Sequence, residues 1–288
     1  MVDALVSNTN DFTVVRVRVS LPAPQHVRLD SGMLFFIPGM AKIPPIGLHW
    51  PSGSACFYPV DSRMALIVTQ DGSHSIFAEQ YGVTYHSKYG AVTESAHVFI
   101  DAGLRFKAVV EPQLAILEVG FGTGLNAFMT WLEAERRNLH VQYTTLEAYP
   151  IERTEARLFN FAEQLQVPGR QADFERLHNG AWGRMLKLSD HFTLLKKHIR
   201  LEQFRSPEAF DLIYFDAFAP QAQPELWTET IFERLFAALR PEGVLVTYCA
   251  KGNFKRTLKK VGFAVERLPG PPGKREMTRA QKDSFQAP

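Results

Sequence analysis

The chain has 288 residues, 45% of them hydrophobic and 22% charged, with a formal net charge of +2. These values exclude wholesale disorder, and no apolar run approaches the ~18 residues of a membrane-spanning helix. Two cysteines, Cys56 and Cys249, exclude a disulfide framework or a cysteine-rich zinc site and make a reducing cytoplasm the expected setting.

The first 63 residues hold seven of the 18 prolines but only nine charged residues. Residues 14–19 alternate like a strand, and Met1 to Val15 lacks the basic-then-apolar order of a secretory signal. Residues 1–63 are therefore expected to be a poorly packed extension, with Met64, or Met33, as the true start. From Ala65 the pattern becomes regular. Residues 65–69 and 75–80 read as strands around the turn pair Asp71-Gly72. Tyr85 to Gly90 reads as a loop and Ala91 to Gly103 as a helix, with Glu94 and His97 on or near one face. Residues 64–105 would form a small hairpin-and-helix subdomain.

Beyond Arg105 strands and helices alternate. Strands are expected over 114–119, 141–146, 212–215 and 244–248. Helices are expected over 125–136, 152–164, 228–239 and 253–261. An alternating stretch lies at 192–204, and 263–268 with 276–280 read as a final strand pair. Such alternation predicts an α/β core over 106–288, with a largely parallel sheet covered on both faces. From Lys251 onward ten basic residues face three acidic ones, a net of +7 that leaves about −5 for the rest. This asymmetry suggests a polyanionic partner.

The densest signal is Glu118-Val119-Gly120-Phe121-Gly122-Thr123-Gly124-Leu125-Asn126. An apolar strand ends in an acid, three alternating glycines follow, and a helix begins. Glycines admit positive φ and close approach of a ligand. The helix start presents free N–H groups to a polar ligand. A dinucleotide fingerprint would need glycine at 125, which is Leu. At the end of the next strand Glu147 can accept hydrogen bonds from ribose hydroxyls. Asp216 lies at the C-terminal end of the apolar strand expected over 212–215, where ligands of open α/β sheets bind. A carboxylate there can align an aliphatic amine or take its proton, which an ammonium of pKa about 10 must shed before it attacks a methyl group. Phe218 can stack on a base. The competing reading makes Asp216 a helix cap and Phe218 a core residue. His and Cys lack ligand spacing, so no metal is expected.

The glycine loop resembles motif I of S-adenosylmethionine-dependent methyltransferases. By that resemblance Glu118 and Gly120, Phe121, Gly122, Thr123, Gly124 and Asn126 hold the cofactor, while Tyr85, His86 and Glu94 form either a flap over it or part of a packed N-terminal subdomain. The ordered set Asp71-Gly72-Ser73, Tyr85-His86-Ser87, Glu94 to Phe99, the glycine loop, Asp216-Ala217-Phe218-Ala219-Pro220, Pro224 to Trp227 and Gly270 to Met277 resembles one family. It is similar to the methyltransferase part of the bacterial tRNA 5-methylaminomethyl-2-thiouridine biosynthesis proteins, over about 65–280. One departure is Lys88-Tyr89 within the Tyr85 to Gly90 loop. The resemblance implies a Rossmann-like sheet and methyl transfer to the amine of 5-aminomethyl-(2-thio)uridine at the tRNA wobble position. Asp216 would align or deprotonate that amine. In some members this part is fused to an FAD-dependent oxidase that frees the amine. This chain has no GxGxxG and no room for that oxidase, so a stand-alone form without FAD is expected, its amine-bearing tRNA coming from a separate pathway. Lys274 and Arg275, in a Gly/Pro-rich loop, and Lys255 and Arg256, on the basic helix, are the candidates for tRNA phosphates. A solvated helix face is the plainer reading of the latter two. An aminopropyltransferase resembling spermidine synthase is the first rival, though a polyamine pocket should be acid-rich. An RNA-binding module with a vestigial cofactor pocket is the second.

Overall fold

A computed structural model describes residues 66–78 and 81–283 in full, and the backbone alone of Ala65 and of the short strands before it. The chain divides into two units, Met1–Ile67 and Val68–Pro288. In the first, β1 (Val2–Thr9) pairs antiparallel with β2 (Phe12–Val19), and β3 (Phe35–Ile37) with β4 (Met40–Ile43). Likewise β5 (Cys56–Phe57) pairs antiparallel with β6 (Ala65–Val68). The remaining side chains of residues 1–63, and any question of where the chain starts, lie outside the described residues.

The second unit opens on a turn that caps a helix. The turn closes through Thr69 N–H donating to Ser73 O at 2.9 Å. After it come β7 (His74–Ala78), β8 (Val83–Thr84) and α1 (Ala91–Ser95), which continues as a π-helix over Ala96–Arg105. The first N–H groups of a helix have no partner within it. Here Ala91 N–H and Val92 N–H donate to Ser73 Oγ, and Thr93 N–H donates to Asp71 Oδ2 at 2.9 Å. Thr93 Oγ1 donates to the same Asp71 oxygen, and Ser73 N–H and Thr69 Oγ1 to the other. Burial alone would raise the Asp71 carboxyl, but hydrogen bonds from Ser73, Thr93 and Thr69 bring it below its ordinary value. Gly90 precedes α1 at φ 149, and a Cβ there would fall 2.2 Å from Asp71 Oδ2. The Asp71-Gly72-Ser73 motif is thus a helix cap supplied from another element.

An eight-stranded sheet follows, in the order β11-β12-β10-β9-β13-β14-β16-β15. Its members are β9 (Gln113–Val119), β10 (His140–Glu147), β11 (Met185–Lys187) and β12 (Phe192–His198). The others are β13 (Phe210–Phe215), β14 (Leu239–Thr247), β15 (Ala264–Pro269) and β16 (Glu276–Gln281). Strands β12, β10, β9, β13 and β14 run parallel. Both β11 against β12 and β16 between β14 and β15 pair antiparallel. This is the Rossmann-like sheet expected. On one face α6 (Glu229–Ala238) and α7 (Gly252–Val261) cover a core that includes Leu117, Val119, Phe215, Phe232 and Phe254. On the other, α2 (Leu125–Arg137) meets the sheet, with Thr130 Oγ1 3.3 Å from the Tyr214 hydroxyl.

Three expectations change. The helix expected over 152–164 is two short ones, α3 (Arg153–Ala156) and α4 (Phe161–Gln164). Phe159, in the break, stacks on Phe161 at the start of α4 at 5.1 Å, a contact that residues two apart in a continuous helix do not make. A helix not expected, α5 (Gln171–Asn179), follows. The alternating stretch at 192–204 is strand only to His198.

Removing the borrowed cap should cost stability in a pH-dependent way. Asp71→Ala should lose about 1–2 kcal/mol at pH 7, the usual range for a cap. A carboxyl whose folded pKa is depressed stabilises above its unfolded value and ceases to as pH falls through the folded one. Urea unfolding should therefore separate the two proteins at pH 7 and bring them together in strong acid.

Candidate active site

The strand order reverses at β9, whose neighbours β10 and β13 lead their chains in opposite directions. A crevice at such a switch point is where open α/β sheets bind ligands. Gly120 lies in it at φ 91, its N–H donating to Leu146 O at 3.0 Å, while Asp216 N–H donates to Val119 O at 3.1 Å. A Cβ at Gly120 would fall 2.9 Å from Asp216 O, so only glycine lets the three strand ends converge. Around them opens a cleft lined by the Gly120 to Thr123 backbone, Asn126, Glu147, Asp216 and Phe218, with Leu146, Ile199 and Leu201 as apolar wall.

Both expected strand-end acids face this cleft. Glu147 Oε2 accepts from Gly122 N–H and Oε1 from Tyr149 N–H, both at 2.9 Å. Each oxygen keeps a lone pair for a diol. Asp216 is partly buried, and Asn126 Nδ2 donates to its Oδ2 at 2.8 Å. Burial first, and the Glu94 carboxylate second, push the Asp216 carboxyl up to about 7, against the Asn126 hydrogen bond and the Lys274 charge. Asp216 caps no helix, since α6 begins at Glu229. Phe218 is not core either. Its ring lies 4.7 Å from Tyr81 and 4.9 Å from Tyr85, at the wall of the cleft. Trp227 Nε1 donates to Phe218 O at 2.8 Å and holds that loop.

Five expected residues sit elsewhere, among them Gly124, which precedes α2 and is not on the cleft wall. Glu118 is fully buried and absent from the cleft wall. Its register sets it level with Thr145 and Tyr214, on the α2 face of the sheet. Burial and Asp216 hold its carboxyl well above the ordinary range, with Thr145, Asn126 and Tyr143 opposing. Glu94 is also buried outside the wall, where Ser87 N–H donates to its Oε2 and Lys274 Nζ pairs with its Oε1. Lys274 therefore points inward rather than toward solvent. Lys255 pairs with Glu276 at 2.8 Å and is largely covered. Arg256 and Arg275 are exposed.

His178 and Lys196 contribute without a sequence signal, while His86 belongs to the Tyr85-His86-Ser87 set. His178, on the unexpected α5, meets Thr123 O through Nε2 at 3.0 Å behind the glycine loop. Burial and Lys196 lower its pKa to about 4, so it stands neutral and donates. Lys196, itself buried, donates to His178 O at 2.8 Å. His86 lines the cleft and is lowered to about 4, chiefly by burial. Tyr81 and Tyr248 could be suspected only as aromatics near a turn and a strand end.

S-adenosylmethionine fits these residues. Glu147 suits ribose hydroxyls, the apolar wall suits adenine, and Asn126 carries a buried amide oxygen with no donor among the described residues. No group of three or more His, Cys, Asp or Glu among the described residues could hold a metal, and no helix there is long and apolar enough to cross a membrane.

Residues 163–283 match a family described as S-adenosyl-L-methionine-dependent methyltransferase. The chain is 33% identical over 238 residues to the tRNA 5-methylaminomethyl-2-thiouridine biosynthesis bifunctional protein MnmC of Cupriavidus metallidurans, covering 75% of this chain and 33% of that protein. It is 34% identical to the MnmC of Cupriavidus necator, over 70% of this chain and 32% of the relative. The chain thus spans about a third of the length of these curated relatives. The crystal structure of MnmC2 from Aquifex aeolicus shares the fold, with a TM-score of 0.61 and 24% identity over 80% of this chain and 72% of that one.

Two measurements test the site. A carboxyl whose folded pKa is raised stabilises fully below its unfolded value and costs stability as pH rises through the folded one. Asp216→Asn should therefore raise Tm at pH 8 more than at pH 5, read by differential scanning calorimetry. Glu147→Ala should weaken S-adenosylmethionine binding about tenfold or more by calorimetric titration, the loss of two hydrogen bonds to a charged acceptor.

Proposed function

We propose that this chain, whose residues 163–283 match the S-adenosyl-L-methionine-dependent methyltransferase family, methylates the primary amine of 5-aminomethyl-(2-thio)uridine at the tRNA wobble position. The observation that carries the reading is Asp216, a carboxyl raised to about 7 at the cleft wall and held by Asn126 beside the aromatic set Tyr81, Tyr85 and Phe218. The substrate comes from the similarity to the MnmC proteins, which are named for biosynthesis of the methylated nucleoside.

Bound S-adenosylmethionine supplies a methyl group activated on a sulfonium. The chain's residues orient what attacks it. With Oδ2 engaged by Asn126, Asp216 offers Oδ1 to the amine and can take its proton once ionised. The three aromatic rings suit a base splayed from a single-stranded loop, which is how RNA bases are read. An anticodon-loop base is unstacked at lower cost than one in a duplex. Arg256 and Arg275, exposed in the basic C-terminal region, suit phosphates and a salt-dependent affinity. Holding the amine in line accounts for most of the acceleration. A tRNA substrate sets the reaction in the cytoplasm, and a separate reaction must supply the aminomethyl group.

Nucleoside mass spectrometry tests this directly. The protein, S-adenosylmethionine and tRNA bearing 5-aminomethyl-2-thiouridine should yield a gain of one methyl on that nucleoside. Asp216→Ala should keep cofactor binding and lose at least a hundredfold in turnover, the scale of a positioned acid–base group. No methyl gain with cofactor binding intact would sink the substrate assignment.

A further inference from the structure

The Lys274 ammonium occupies a cation site. It lies 3.8 Å from the centroid of the Tyr248 ring and pairs with Glu94 Oε1. Tyr248 is fixed to the loop that carries Asp216, its hydroxyl donating to Ala217 O at 2.8 Å. Asp216 and Glu94 both raise the Tyr248 phenol, after burial, so both carboxyl groups bear on the same ring. Glu94 is fixed in turn: Ser87 N–H holds its other oxygen, and its helix starts on the Asp71 cap. The loop that delivers Lys274 is a closed turn, with Lys274 N–H donating to Pro271 O and Gly270 N–H to Arg275 O. His97, in the π-helix that continues α1, meets Pro269 O just before the same loop at 2.8 Å.

A carboxylate and an aromatic face, half removed from solvent, with a second carboxyl nearby, form the chemistry that recognises an alkylammonium. Lysine ends in the same group as an aminomethyl substituent, a primary ammonium on a methylene. We propose that Glu94, Tyr248 and Asp216 form the acceptor-amine subsite, and that Lys274 fills it until a substrate ammonium displaces it. The inference rests on the proposed amine acceptor. The exchange is one cation for another, so the carboxylates never stand unpaired in a dry site, which would be costly. Displaced Lys274 returns to solvent on its loop beside Arg275. Asp216 then borders the arriving amine.

The test is binding, with no methyl transfer required. Two anticodon stem–loops would be titrated, one with 5-aminomethyluridine and one with plain uridine at the wobble position. The intact protein should prefer the amine by roughly tenfold, the scale of a partly desolvated cation–π contact with its ion pair. Tyr248→Leu and Glu94→Gln should abolish that preference while the plain stem–loop still binds. Tyr248→Phe keeps the ring and should keep the preference. Lys274→Ala should widen it, since no cation need leave. Equal weakening of both stem–loops by Lys274→Ala would make Lys274 a phosphate contact and overturn the proposal, as would an undiminished preference in Tyr248→Leu. Thermal melts confirm that each variant is folded, and Glu94→Gln carries the test if Tyr248→Leu is not. A protein that prefers the amine yet never methylates it retains the subsite and loses the methyltransferase reading.

Discussion

Three strand ends meet at one peptide. The Val119–Gly120 junction accepts Asp216 N–H on one side and donates to Leu146 O on the other. It can do so only because position 120 has no Cβ. This convergence fixes where β10 ends, and so where Glu147 stands, and where β13 ends, and so where Asp216 stands. The cleft is the space left when neighbouring parallel strands turn away in opposite directions. Loop, diol-binding acid and proton acceptor are therefore consequences of one backbone arrangement.

A low-dielectric site then has to manage its carboxyl groups. Glu118, Glu94 and Asp216 lie in or beside the same buried region, and each interacts with a neighbour of like charge. Glu118 is disposed of by burial away from the wall, where its carboxyl is held far above the ordinary range. Glu94 is neutralised by Lys274. Asp216 alone is left near neutrality, with one oxygen engaged by Asn126. That sets Asp216, able to exchange a proton at physiological pH, apart from Glu118, which is buried away from the cleft.

The N-terminal part of the second unit belongs to the chemistry for a mechanical reason. Asp71 and Ser73 cap α1, α1 presents Glu94, and Glu94 holds Lys274 from the far end of the chain. Residues 71 and 274 are thus linked through one hydrogen-bonded cap, the first turn of α1 and one ion pair. The Asp71-Gly72-Ser73, Glu94 and Gly270 to Met277 segments, which look unrelated in sequence, are successive members of that line.

Much was legible in the sequence because it is local. Apolar runs of period two and amphipathic helices alternate, so the α/β class follows from 106–288 directly. Strand, acid, three glycines and helix specify a ligand loop, and acids at strand ends mark Glu147 and Asp216, since a parallel sheet presents all its strand ends on one side. What sequence could not carry is partnership across distance. Glu118 reads like Glu147 in sequence, yet strand register turns its side chain under α2 and away from the cleft. Lys274 reads as a free basic residue, and only the meeting of two loops pairs it with Glu94 and seats it on Tyr248. Side-chain direction and electrostatic company are set by packing between segments far apart in the chain, and those the tertiary structure alone decided.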